Sequence, residues 1–120
     1  MPRLLIVDDE QDVREFAANF FRKRKLEVQT ASSGEDALSQ LEKEKADLVL
    51  LDIKMAGIDG VETLKRIKKM DKEARVIMVT GRKPEDDGSF EQCRQLGGVD
   101  YIHKPLELDE LERVVMKALK

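Results

Sequence analysis

Leu48-Val49-Leu50-Leu51-Asp52 is an unbroken apolar run that stops on a carboxylate. A run with no polar residue alternating into it suits a strand covered on both faces, the condition of a central strand in a parallel sheet. Reading outward, the chain repeats the unit. Leu4-Leu5-Ile6-Val7, Glu27 to Ala31, Val76 to Val79 and Tyr101-Ile102 are further short apolar or β-branched runs. Each is followed by a stretch with helical spacing. Val13, Phe16, Ala17 and Phe20 fall at i, i+3, i+4 and i+7. Ala37, Leu38 and Leu41 mark a second helix, Val61, Leu64 and Ile67 a third, and Phe90, Cys93 and Leu96 a fourth. Leu108, Leu111 and Val115, with Ala118 and Leu119, mark the last. Strands and helices in strict alternation imply an α/β fold: a parallel sheet with helices on both faces and right-handed crossovers. With no internal repeat, low-complexity tract or linker in view, residues 1–120 are expected to form one domain.

Local signals support the division. Ser32 stands three residues before Glu35 and Ser89 three before Gln92, the spacing of capping boxes. The run Arg22-Lys23-Arg24-Lys25 reads as a solvated last helical turn whose cations offset the helix dipole. The 22 basic residues are outnumbered by 25 acidic ones, which argues against nucleic acid or an anionic membrane as the main partner. Cys93 is the only cysteine, so an internal disulfide is ruled out and a reducing compartment is expected. No apolar run approaches the roughly 20 residues of a membrane span, and Asp8, Asp9 and Glu10 interrupt the N-terminal one too early for a signal peptide. The expected address is the cytoplasm.

In an open parallel sheet, ligands bind beyond the carboxyl ends of the strands, where the strand order reverses. The first strand ends in Asp8-Asp9, the third in Asp52, the fourth in Thr80 and the fifth in His103-Lys104-Pro105. Carboxylates gathered in one crevice repel each other unless a cation joins them. Oxygen ligands in an incomplete cage favour magnesium. A carboxylate beside such an ion is placed to attack phosphorus, and an ammonium and a hydroxyl, here Lys104 and Thr80, suit the oxygens of the transferred group. Taken singly these residues have plainer readings: Asp8-Asp9 as helix caps, Thr80 as a bonded strand end, Tyr101 and Cys93 as core. His103 has no partner in view and is given no role.

Four segments carry a resemblance to the receiver domain of bacterial response regulators over essentially the whole chain. They are Val7-Asp8-Asp9-Glu10; Asp52-Ile53-Lys54-Met55 with Asp59-Gly60; Val79-Thr80-Gly81; and Asp100-Tyr101-Ile102-His103-Lys104-Pro105. The resemblance implies a flavodoxin-like strand order, 2-1-3-4-5. It implies Asp52 as phosphoacceptor, and Mg2+ held by Asp9 directly, by Asp8 mostly through water, by Asp52, and by the backbone carbonyl of Lys54. Lys104 would contact the phosphoryl group, Thr80 would swing toward it, and Tyr101 would turn inward behind it. The change would be relayed to the face made by the fourth helix, fifth strand and fifth helix. The donor would be a histidine kinase or phosphotransfer domain. The output would be a separate partner or a C-terminal domain that follows. Two features depart from the family pattern: Ala56 stands where proline is usual, and the segment Arg82 to Gly88 makes the stretch before Lys104 longer.

Other classes fit less well. A magnesium-dependent phosphohydrolase or nuclease needs a substrate pocket and a further acid or base. A dinucleotide-binding fold needs a glycine-rich turn where Asp8-Asp9-Glu10 stands. A receiver that has lost phosphorylation is opposed by the full set of site residues. Two further expectations concern partners and lifetime. Arg14, Ala18 and Phe21 form a strip along the first helix on which a donor would dock, with Phe21 equally readable as core edge. Lys54 and Arg82 would shield the phosphoryl group from water or help position that water.

Overall fold

Every apolar run becomes a strand: β1 (Arg3–Val7), β2 (Glu27–Ala31), β3 (Leu48–Asp52), β4 (Val76–Thr80) and β5 (Asp100–His103). The described helices are α1 (Gln11–Arg22), α2 (Gly34–Lys43), α3 (Gly60–Met70) and α4 (Leu108–Ala118). The computed structural model describes residues 2–53, 57–80, 95–96, 100–103 and 106–119, with Thr80, Asp100 and His103 by backbone alone. The strands form one five-stranded sheet in the order β2-β1-β3-β4-β5, and each neighbouring pair is parallel. This is the expected order.

Strand periodicity divides the core into two layers. Leu4, Ile6, Leu48, Leu50, Ile77 and Val79 face α1 and α4, meeting Ala17, Ala18, Phe21, Leu111, Val114 and Val115. The intervening Leu5, Val7, Val49, Leu51, Val76 and Met78 face α2 and α3, meeting Ala37, Leu64 and Ile67. Both faces are covered, which is why β1, β3 and β4 contain no polar alternation.

The structure corrects several local readings. On α1 the buried stripe is Ala17, Ala18 and Phe21, with Arg14 half-buried at its head, whereas Phe16 is 45% exposed. Ala18 and Phe21 therefore belong to the core, and the expected docking strip is overturned. Leu108, in the first turn of α4, is exposed, and the helix buries Leu111, Val114 and Val115 instead. The cap of α2 is Ser33, not Ser32: its hydroxyl accepts the Asp36 N–H at 3.0 Å, while the Asp36 carboxylate accepts the Ser32 N–H at 3.3 Å. Ala31 still pairs with Val7, so Ser32 is leaving the strand when the cap forms.

The basic run is divided between a helix end and a turn. Leu26 N–H bonds Phe21 O at 3.3 Å and Lys25 N–H bonds Arg22 O at 3.1 Å, a Schellman-type closure with Lys25 at φ 67. Arg24 lies 3.6 Å from the Phe20 ring centroid and pairs with Glu112 at 3.1 Å. It joins α1 to α4. The Ser89–Gln92 cap, Ala56, Arg82 with its segment, and the helix expected around Phe90 and Cys93 lie outside the described residues.

Candidate functional site

Register places the acids. Val7 pairs with Leu51 in parallel strands, so the residue beyond each, Asp8 and Asp52, stands side by side at the carboxyl ends of β1 and β3. In the sheet order β1 lies between β2 and β3, and the connections there run opposite ways, which is the switch point where a crevice opens. Asp8 is 2% exposed and Asp52 4%. Two carboxylates at adjoining strand ends with so little access to water are a costly arrangement that structure alone does not require.

Asp8 is tightly held. Its N–H bonds Ala31 O at 3.1 Å, extending the pairing with β2 past Val7. Its Oδ1 accepts the Glu10 N–H at 2.9 Å, and its carbonyl accepts Arg14 Nη1 at 2.7 Å. The chain thereby turns through Asp9 into α1, and Glu10, the residue that precedes the helix at its N-cap, makes no side-chain cap bond. For Asp8, the capping reading thus corresponds to a turn bond from Glu10. Carboxylate oxygens of Asp8, Asp9 and Glu10 lie within 4.8 Å of one another. Glu10 received no role from the sequence, although the unbroken acidic run was a signal that would have found it.

The other wall is built by the start of α3. Ile53 N–H bonds Val79 O at 3.0 Å, and Gly60 N–H bonds Ile53 O at 2.8 Å, seating the helix on the exit of β3. A Cβ on Gly60 would lie 2.3 Å from the Asp52 carbonyl oxygen and 2.5 Å from Ile53 Cα, so only glycine permits this approach. Asp59 caps α3 by accepting the Glu62 N–H at 2.9 Å. The Asp59-Gly60 pair is thus part of the wall beside Asp52.

Of the site residues read from sequence, the structure brings Asp8, Asp9 and Asp52 to one rim. Thr80 ends β4, with its backbone in register with His103. Tyr101 is half-buried on β5, against the core layer shared with α2 and α3. Lys54 and Lys104 lie outside the described residues, as does the side chain of Thr80. The donor set fits a hard divalent cation: clustered carboxylate oxygens, with no sulfur or imidazole in the group, are what magnesium takes.

A parallel, doubly wound sheet with an acidic crevice at its switch point defines the class of protein. Residues 4–116 match the model of the response regulator receiver domain, and the chain belongs to that family. It is 38% identical over 117 residues to sporulation initiation phosphotransferase F of Bacillus subtilis (strain 168), covering 98% of this chain and 93% of that one. It is 36% identical to the regulatory protein AtoC of Escherichia coli (strain K12), covering 98% of this chain but 25% of the relative. Among solved structures, the response regulator protein TrrA of Thermotoga maritima, in complex with Mg(2+)-BeF, superposes with a TM-score of 0.86 at 36% identity, covering 99% of this chain and 100% of that one.

Proposed function

We propose that residues 1–120 act as a receiver domain in which Asp52 is the phosphoacceptor of a two-component relay. The observation that carries this reading is the near-complete burial of Asp52 beside Asp8 at the switch point, with Asp9 and Glu10 adjoining. A carboxylate oxygen of Asp52 attacks the phosphorus of a phosphodonor. The bond between phosphorus and the leaving group breaks, and an acyl phosphate remains on the chain. The natural donor is a histidine kinase or phosphotransfer domain: the P–N bond of its phosphohistidine breaks, and the histidine ring, protonated on its other nitrogen, leaves as neutral imidazole.

Asp8, Asp9, Asp52 and the Lys54 carbonyl are the residues that would hold Mg2+, and when bound it would offset the charge of the phosphoryl oxygens. Lys104 contacts the phosphoryl group, and the Thr80 hydroxyl bonds one of its oxygens. Tyr101 follows inward, and the β5–α4 side of the molecule carries the change to an output partner or a following domain. The chemistry is confined to the chain's own phosphorylation and its reversal. No described helix is long and apolar enough to cross a membrane, in keeping with a cytoplasmic module.

Intact mass after incubation with acetyl phosphate tests the reading. Wild type with magnesium should gain one phosphoryl group, and chelating the metal should abolish the gain. The same gain in Asp52→Asn would assign the chemistry to another residue.

A further inference from the structure

Arg14 is the one charged residue on the buried stripe of α1. It lies at i relative to Ala17, Ala18 and Phe21, the positions i+3, i+4 and i+7 that face the sheet. A cation at the head of a burying stripe needs a compensating partner. Its guanidinium donates to the Asp8 carbonyl at 2.7 Å, and its backbone N–H donates to the Glu10 carbonyl at 3.1 Å. One residue therefore grips both ends of the acidic turn, Asp8 through Glu10.

We infer that Arg14 is a positioning residue for the cation site, setting the aim of the Asp9 carboxylate by pinning the Asp8–Asp9 peptide. The inference rests on the reading of the acidic crevice as a magnesium site. The peptide unit is planar, so holding the Asp8 oxygen also sets the plane of the Asp9 N–H and narrows the directions open to its side chain. Asp8 has two further anchors, in the strand bond to Ala31 and the turn bond from Glu10. Asp9 is exposed, and its side chain starts from the peptide whose oxygen Arg14 holds. A rival account treats Arg14 only as a positive charge that relieves repulsion among the acids and competes with a metal. The two accounts predict opposite signs: removing a pin weakens magnesium binding, and removing a competing charge strengthens it.

Magnesium affinity of the full chain, measured by calorimetry, separates them. Arg14→Met, which keeps length without donors or charge, should bind magnesium about tenfold more weakly, the usual scale for losing a group that orients a metal ligand. Arg14→Lys keeps the charge but not the rigid fork, and should fall between the two. It also carries the test if Arg14→Met fails to fold. Arg75→Met controls for general loosening, because Arg75 bonds the Ala118 carbonyl at the end of α4 and should keep wild-type affinity. The inference is overturned if Arg14→Met binds as tightly as wild type or more tightly, if Arg14→Lys matches wild type, or if Arg75→Met loses as much. Should wild type bind no magnesium, the crevice reading falls and the inference with it.

Discussion

At φ 67, Lys25 holds the left-handed conformation that closes the end of α1. A side chain there crowds its own carbonyl, whereas glycine does not. Glycine also loses more freedom on folding, which offsets part of the gain. Lys25→Gly should therefore stabilise the protein by about 0.5–1 kcal/mol, a rise of a few degrees in thermal midpoint. A lower midpoint would show that the Lys25 side chain itself holds the turn. The other left-handed residue among those described is already a glycine: Gly57 lies at φ 78 against the Glu35 carboxylate. Gly60 differs from both, since its φ is ordinary and the close approach of the Asp52 carbonyl and Ile53 Cα excludes a side chain. The Asp-Gly pair at 59–60 could be read as a family match before its physical reason was visible.

At the scale of the element, α1 is the instructive case. Val13, Phe16, Ala17 and Phe20 make an apolar stripe by spacing, yet the helix buries Ala17, Ala18 and Phe21 behind Arg14. Both sets obey i, i+3, i+4, i+7 and are offset by one residue, about 100° around the axis. The choice is made by neighbours. The Asp8 carbonyl accepts the Arg14 guanidinium, and Arg24 stacks on Phe20 while reaching Glu112 on α4. Phe21→Ala, at a fully buried position, should cost about 3–5 kcal/mol in urea unfolding. Phe16→Ala, at a position 45% exposed, should cost under about 1 kcal/mol. Equal costs would mean that the helix is rotated from the orientation described.

For the whole molecule, the question is how an event at Asp52 reaches the far edge of the sheet. β4 pairs with β3 through Asp52 and Val79, and with β5 through Met78 and Tyr101, so one strand links the crevice to Tyr101. A switch of this kind needs a local charge change and an element with two arrangements. Tyr101 is the only tyrosine and the chain has no tryptophan, so intrinsic fluorescence reports on that residue alone. It is half-buried in the structure described. Iodide quenching of this emission should fall when magnesium and acetyl phosphate are added, as the ring turns inward. Thr80→Ala should remove the change. Unaltered quenching in wild-type protein that is fully phosphorylated by mass would discredit the relay.

Periodicity and strand-end chemistry suffice by themselves for the alternation of elements, the two-sided burial of β3 and the acidic rim. These are properties of short segments, because a strand's apolar run and its terminal residue are contiguous in the chain. The strand order follows from the resemblance, and the strand pairing bears it out. Which face α1 turns to the sheet, which serine caps α2 and why residue 60 has no side chain were decided only by tertiary structure. Each depends on atoms distant in sequence or on competing local partners: the Asp52 carbonyl against Gly60, Ala31 held to Val7 ahead of Ser33, and Glu112 across from Arg24. A charged residue such as Arg14 breaks an apolar pattern in the sequence and completes it in the fold, because the carbonyl that satisfies it is supplied by the strand end it packs against.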